Sequence, residues 1–202
     1  MELIGMLDSP YVRRVAVTFQ LLGLPYVHRP ISVFRTFEQF RAINPVVKAP
    51  TLVCDDGQTL MDSTLIIDHV ETVAGRSLMP AGGAERQRAL RIIGLGLAAC
   101  EKAVQIVYEH NLRPAEKLHE PWMLRVKAQL SAALAGLEAE LAARALPVDQ
   151  ASINQAGITA AVAWRFVQEM VPGDIDPQAC AATVRHSQQA ERLEAFLAAP
   201  FD

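Results

Sequence analysis

The order of apolar segments and breakers predicts an α/β N-terminal part followed by an all-helical C-terminal part. Three observations carry that expectation. Within about the first 75 residues the pattern runs β-α-β-α-β-β-α, the stretch "RSLMPAGGAE" then interrupts it with Pro80 and two glycines, and no convincing strand follows. With 51% hydrophobic residues among 202, the chain can bury a core in one large domain or two small ones.

Residues 2–7, "ELIGML", read as a short apolar strand. "SPYVRRVAVTFQLLG" follows with Val12, Val15, Ala16, Phe19 and Leu22 at helical spacing, closed by Gly23 with Pro25 just beyond. "PYVHRPI" reads as a second strand, and residues 35–43 as a short helix that ends before Asn44 and Pro45. "PTLVC" and "TLM" flank the turn "DDGQ" and signal a hairpin. "DSTLIIDHVETVAG" gives another helix, with Leu65, Ile66, His69, Val70 and Val73 on one face and Gly75 as its stop. These elements place a first domain at 1–76, a linker at 77–83 and a helical domain at 84–202. The helical patterns of the second part lie at 84–112, 121–145, 152–171 and, as one or two helices, 177–199.

Charge and cysteine content narrow the function. The net charge of −3 argues against a nucleic-acid or anionic-membrane surface, which needs a basic stripe. Residues 1–50 carry six cations (Arg13, Arg14, Arg29, Arg35, Arg41, Lys48) against three acids (Glu2, Asp8, Glu38), so this quarter is +3 and fits a small anionic ligand. Cys54, Cys100 and Cys180 are odd in number and far apart, as expected of reduced thiols in a cytoplasmic protein. The N-terminal apolar run is too short for a signal peptide, and no segment approaches the ~20 apolar residues of a membrane span.

Three short constellations carry possible chemistry, each with a plain structural reading beside it. Ser9 precedes Pro10 at a helix start, where Ser is a favoured N-cap and Pro fits the first position. A capping hydroxyl accepts a backbone N–H through a lone pair, so its own proton stays available to a ligand. A thiolate there would receive that proton and the helix dipole together, conditions under which thiol pKa values fall from ~8.5 to ~3.5–7.5. In "NPVVKAPTL", Pro50 is read either as a proline opening a strand or as the second residue of a cis Ala49–Pro50 bond. In "LMDSTLII", Asp62 and Ser63 either cap a helix or offer its N-terminus to a carboxylate, with Asp62 facing an ammonium.

Taken in order, "SPYVRRVAV", "NPVVKAPTL", "MDSTLIIDHVE" and "LMP" resemble the glutathione S-transferase family along nearly the full chain. The resemblance implies a thioredoxin-like N-terminal domain that binds glutathione and an all-α domain that supplies a pocket for a hydrophobic co-substrate. In its serine-type members the hydroxyl at Ser9 is implied to hold the glutathione thiolate. Pro50 takes the place of the family's cis-proline, with Ala49 pairing its backbone to the cysteinyl part. Asp62 and Ser63 correspond to the pair that holds the γ-glutamyl group, and Lys48 is placed to reach a glutathione carboxylate. The expected activity is nucleophilic attack of the glutathione thiolate on a small hydrophobic electrophile, with reduced glutathione as co-substrate, no permanently bound cofactor, and a homodimer as the assembly. A glutathione-dependent isomerase and a non-catalytic interaction module on the same fold are the alternatives.

Two departures from the family pattern stand out. Val47 occupies a position where the family has glycine, and a β-branched residue is strained there if φ is positive. Ser152 and Gln155 have capping-box spacing, where the family has Ser or Thr followed by Asp. Tyr11 follows Pro10 inside the first helical turn, so it is not the tyrosine of the tyrosine-type members; it is expected to face the co-substrate, with Tyr108, Leu112 and Trp164 as further pocket candidates. No cysteine precedes Cys54, which speaks against the cysteine-type reductases. His28, His69, His110, His119 and His186 lack paired metal spacing, so no metal is expected. Of Arg13 and Arg14, one is expected in solvent and one packed against the second domain.

Overall fold

The computed structural model describes residues 1–202. In chain order the elements are β1 (Glu2–Ile4), α1 (Pro10–Leu22), β2 (Val27–Arg29), α2 (Phe37–Ile43), β3 (Thr51–Val53), β4 (Thr59–Met61), α3 (Ser63–Ala74), α4 (Gly83–Leu112), α5 (Glu120–Ala143), α6 (Gln155–Met170), α7 (Ala181–Ala190) and α8 (Glu194–Leu197). They divide into two compact units, 1–78 with 192–202, and 79–191. The expected helical domain ran to residue 202; the tail 192–202 instead packs in the first unit, where Phe196 is 1% exposed and Arg13 of α1 is anchored on it.

In the first unit a four-stranded sheet has the order β2-β1-β3-β4. β1 pairs parallel with β2, while β1–β3 and β3–β4 are antiparallel. The parallel pair requires a crossover, which α1 provides. α1 is buried on all sides, since Val12, Val15, Ala16, Val17 and Phe19 are each 0% exposed and Arg13 and Arg14 are 1% and 2% exposed. The expectation that one arginine lies in solvent is therefore corrected. Arg13 donates from Nε to the Ala199 carbonyl at 2.8 Å and lies 5.7 Å over the Phe196 ring, contacts made inside its own unit. Gly23 and Gly75 end α1 and α3 in the left-handed conformation, φ 66° and 62°, as their spacing predicts. On α3 the buried face is Ser63, Ile66, Ile67, Val70 and Glu71, whereas Leu65 and Val73 are 63% and 52% exposed. Two apolar residues in each turn made both faces plausible from spacing alone, and contact with α1 selects one.

The loop from α2 to β3 is closed by a buried polar hub. Asn44, 3% exposed, donates from Nδ2 to Thr51 Oγ1 at 2.8 Å and accepts the Val46 N–H at 3.0 Å; Thr51 Oγ1 in turn donates to the Lys48 carbonyl at 2.7 Å. Closing the loop this way puts Val47 at φ 53°. A β-branched side chain is disfavoured there because Cβ crowds the backbone carbonyl.

The second unit is helical throughout. α6 lies in its centre, with Gln155–Trp164, Phe166 and Val167 buried against a core that includes Ile92, Ile93, Leu137 and Leu141. Its N-cap is Asn154, whose Oδ1 accepts the Ala156 and Gly157 N–H groups at 3.0 and 3.1 Å. The expected Ser152–Gln155 capping box is thus displaced by two residues, because Ser152 instead donates to Asp149 in the preceding turn. Glu138 of α5 caps α7 from outside, accepting the Ala182 and Thr183 N–H groups and the Thr183 hydroxyl, each at 2.8 Å. Although burial opposes the charge, these donors hold the Glu138 carboxyl below its ordinary range. His186, 5% exposed, donates from Nε2 to the Gly157 carbonyl at 2.9 Å.

Two outcomes are expected. Replacing Val47→Gly should raise the unfolding free energy by about 1 kcal/mol, the relief of left-handed strain exceeding the added freedom of the unfolded chain; a lower urea midpoint would show that the valyl side chain contributes more than its backbone costs. Burial pushes the His186 imidazole below its ordinary pKa of 6.5. Above that value the folded and unfolded states both hold it neutral, and as pH falls the unfolded chain takes up the proton first, so stability declines until the lower folded pKa is passed. Urea unfolding from about pH 8 to about pH 5 should show this decline, and His186→Gln should flatten it. Identical slopes in the two proteins would place its origin elsewhere.

Candidate functional site

Two strand registers assemble the site in the first unit. β1 and β3 pair Ile4 with Thr51, so that Gly5 falls beside Pro50; β3 and β4 pair Thr51 with Met61, so that Pro50 falls beside Asp62. Three chain segments therefore meet at one end of the sheet: the turn into α1, the loop before β3 and the start of α3. Gly5 permits the close approach. Its φ of 137° suits only glycine, and a Cβ built there would stand 2.6 Å from Val12 Cγ2 and 3.3 Å from Ala49 Cβ.

Ser9 is the N-cap of α1, with φ −70° and ψ 123°, and Pro10 follows at the first helical position. Its Oγ accepts the Val12 N–H at 3.4 Å, the long end of hydrogen bonding. That bond uses a lone pair, so the hydroxyl proton remains to donate. Beside it, burial pushes the Asp8 carboxyl above its ordinary range, opposed by the Ser9 N–H and by Arg35 and reinforced by Asp202.

The Ala49–Pro50 bond is cis. Pro50 is buried and Ala49 half-buried, while Lys48 is exposed with its carbonyl held by Thr51. Asp62 is the N-cap of α3 at φ 70° and ψ 130°, and its Oδ1 accepts the Thr64 N–H at 2.9 Å. This backbone geometry is uncommon outside glycine and is characteristic of constrained sites. Ser63 is 2% exposed; its Oγ accepts from Arg14 Nη1 at 3.2 Å, and the same nitrogen donates to Thr64 Oγ1 at 3.1 Å.

Ser9, Ala49, Pro50, Asp62 and Ser63 thus lie in the segments that the sheet brings together. Arg14 and Thr64 join them unannounced by the sequence: an arginine inside an amphipathic helix reads as a surface charge, and only the packing of α1 on α3 reveals otherwise. Of the residues expected around a co-substrate, Tyr11 is half-buried, Tyr108 and Leu112 are 42% and 56% exposed on α4, and Trp164 is 1% exposed. Trp164 is a core residue of the second unit and leaves a ligand no surface, a correction to its expected place. Its position one turn from Ala160 and Ala161 on the fully packed helix α6 accounts for this burial.

No group of three or more His, Cys, Asp or Glu residues is arranged to hold a metal ion. No helix is long and apolar enough to cross a membrane. Cys54 stands 3.8 Å from His69 Nε2, but burial and the neighbouring Asp56 and Asp55 push its thiol up, away from a reactive thiolate. The second unit has an open groove lined by Arg88, Arg91, Leu95 and Glu140, whose charges are joined by the Arg88–Glu140 and Arg91–Glu140 ion pairs; it contains none of the site residues.

Comparison with known proteins places this geometry. Residues 3–77 match the family model for the glutathione S-transferase N-terminal domain. The GST-like protein YibF of Escherichia coli K12 is 25% identical over 174 residues, which cover 86% of each chain. A crystal structure of a glutathione transferase family member from Pseudomonas fluorescens Pf-5 with bound glutathione is 26% identical, covers 98% of this chain and 97% of its own, and has a TM-score of 0.82. Maleylpyruvate isomerase from Pseudomonas aeruginosa PAO1, at 22% identity, 98% and 95% coverage and a TM-score of 0.72, shares the fold. The four-stranded mixed sheet with its flanking helices is the thioredoxin-like half of that fold and the all-helical region is the other; residues 3–77 are a glutathione S-transferase N-terminal domain, and the chain as a whole has the fold of its glutathione transferase relatives.

Proposed function

We propose that the chain is a serine-type glutathione transferase that binds reduced glutathione on the first unit and directs its thiolate at a small hydrophobic electrophile. The observation that carries this reading is Ser9: a hydroxyl at the N-terminus of a 13-residue helix, bonded only loosely to the Val12 N–H at 3.4 Å, with its proton still to give. A donor and a helix dipole aimed at one atom favour the charged form of a thiol over the neutral form. The same pair acts on charge during attack, since the sulfur passes its negative charge to the electrophile's leaving group as the new carbon–sulfur bond forms.

The neighbouring residues are proposed to hold the rest of the tripeptide. The Ala49 backbone beside Pro50 pairs with the cysteinyl residue, Asp62 faces the γ-glutamyl ammonium, and Ser63 with the start of α3 receives the γ-glutamyl carboxylate. Lys48, exposed on the preceding loop, is assigned to the other carboxylate. Glutathione bound in the Pseudomonas fluorescens relative supports this choice of ligand. Tyr11, half-buried in the first turn of α1, is proposed to touch the electrophile. A homodimer in the cytoplasm is part of the same reading.

An isomerase would use this site differently, adding the thiolate to a double bond, allowing rotation, and expelling it unchanged. The likeness to maleylpyruvate isomerase is one of fold, so the two chemistries are separated by product: a stable thioether marks a transferase, and regenerated glutathione marks an isomerase.

The test is calorimetric titration with reduced glutathione on wild type and Ser9→Ala, together with thiolate absorbance against pH in the complex. The wild type should bind and hold the thiol below its free value of ~8.5. Ser9→Ala should still bind, return the thiol toward that value, and lose roughly tenfold to a thousandfold in turnover with an electrophilic aryl halide. A folded wild type that does not bind glutathione overturns the reading in favour of an interaction module; an unchanged thiol titration in Ser9→Ala leaves Ser9 as a cap only.

A further inference from the structure

The polar hub that closes the loop before β3 has a further member, the sulfur of Met61. Asn44 is 3% exposed, and its amide nitrogen carries two N–H groups. One donates to Thr51 Oγ1 at 2.8 Å and the other to Met61 Sδ at 3.5 Å, while Oδ1 accepts the Val46 N–H. A thioether is a weak acceptor, so this is the hub's weakest bond. It is also the side that meets solvent. Met61 is 37% exposed, whereas Met123 is buried and Met1, Met6, Met79 and Met170 are half-buried.

An exposed thioether is a two-electron nucleophile toward peroxides. The sulfur attacks one peroxide oxygen, the O–O bond breaks as the S–O bond forms, and the attacked oxygen passes its proton to the departing one, which leaves as water. The sulfur is oxidised and the peroxide reduced. Of the two lone pairs on the sulfur, the Asn44 N–H occupies one, so attack uses the other and delivers oxygen to one face. The lone pair left over then belongs to a sulfur with partial positive charge, and the Asn44 N–H loses its acceptor. A buried donor without a partner costs more than the bond contributed. Asn44 also holds Thr51, whose hydroxyl holds the Lys48 carbonyl, so the loss falls on the loop that carries Ala49 and Pro50. The thiols compete poorly for the oxidant: Cys100 and Cys180 are buried, and Cys54 is held toward its protonated form.

We infer that Met61 is a modification site for hydroperoxides, converted mainly to one sulfoxide epimer, and that its oxidation loosens the Asn44–Thr51 hub. The site and its effect on stability stand apart from the glutathione reading; the consequence for ligand binding rests on that reading.

The test treats the full chain with hydrogen peroxide, removes the peroxide, and follows every methionine by peptide mapping. Met61 should oxidise at least about threefold faster than any other methionine, in line with its exposure. Digestion with the two epimer-specific methionine sulfoxide reductases should find its epimers unequal by about threefold or more, within the range one hydrogen bond controls. Asn44→Asp keeps the acceptor for the Val46 N–H but has no side-chain N–H, and should bring the epimers toward equality. Should Asn44→Asp not fold, wild type oxidised in urea supplies the even mixture. The oxidised wild type should unfold at a lower urea midpoint and bind reduced glutathione about two- to tenfold more weakly, the factor a lost hydrogen bond carries. Met61→Leu, which has no acceptor, should begin at a lower midpoint than wild type and change little on treatment.

Oxidation of Met61 no faster than of the half-buried methionines, an even epimer mixture in the folded wild type, or an unchanged midpoint after oxidation would overturn the inference. A lowered midpoint with unchanged glutathione affinity would overturn its extension to the ligand site. A wild type that binds no glutathione before treatment would overturn the glutathione reading instead, with the oxidation site judged on the mapping, the epimers and the midpoint.

Discussion

Thr51 is the point on which the arrangement of the first unit depends. Its backbone pairs with Ile4 on one side and Met61 on the other, and its buried hydroxyl accepts from Asn44 while donating to the Lys48 carbonyl. The two pairings bring the start of α1 and the start of α3 to either side of Pro50, and the two hydrogen bonds hold the loop that delivers Ala49 and Pro50. A slip of one residue in either register would turn the side chains of β3 over and separate Gly5, Pro50 and Asp62. The placement of Val47 at positive φ follows from the same closure.

Polar side chains do much of the joining between elements, and Arg13, Glu138 and His186 each have partners that explain their placement. Arg13 is satisfied by the Ala199 carbonyl and the Phe196 ring, which ties the C-terminal tail to α1. Glu138 takes the place of a local cap for α7, using one charge to satisfy two orphaned N–H groups. His186 is held neutral against Gly157. Such groups add little net stability when satisfied and cost much when broken, so they specify one packing more than they strengthen it.

The proposed chemistry rests on two helix N-termini that would face ligand groups of different acidity. At α1 a hydroxyl and a dipole would meet an atom that must become charged, which favours a thiolate. At α3 the Ser63 hydroxyl and the Asp62 carboxylate would meet groups that are already charged, which favours binding and orientation. Dividing the work in this way would let affinity come from the end of the ligand remote from the reacting sulfur, leaving the interactions at Ser9 to act on the charge of the sulfur.

The sequence by itself determined the order of elements and the local chemistry of their ends. The β-α-β-α-β-β-α order, the Gly23 and Gly75 stops, and the caps at Ser9 and Asp62 depend on residues close together in the chain and were readable from spacing. The cap of α6 was misplaced by two residues because Asp149 competes for Ser152, a choice between neighbouring polar side chains that composition does not settle. Tertiary structure decided what depends on distant partners: the exposed face of α3, the burial of Trp164, the tail's place in the first unit, and the conversion of Arg14 from an apparent surface charge into a group bonded to Ser63 and Thr64. The physical reason is the range of the interactions. Capping and turn preferences act within a few residues, whereas the environment of a charged or aromatic side chain is set by elements that meet it only after the chain has closed over about fifty residues or more.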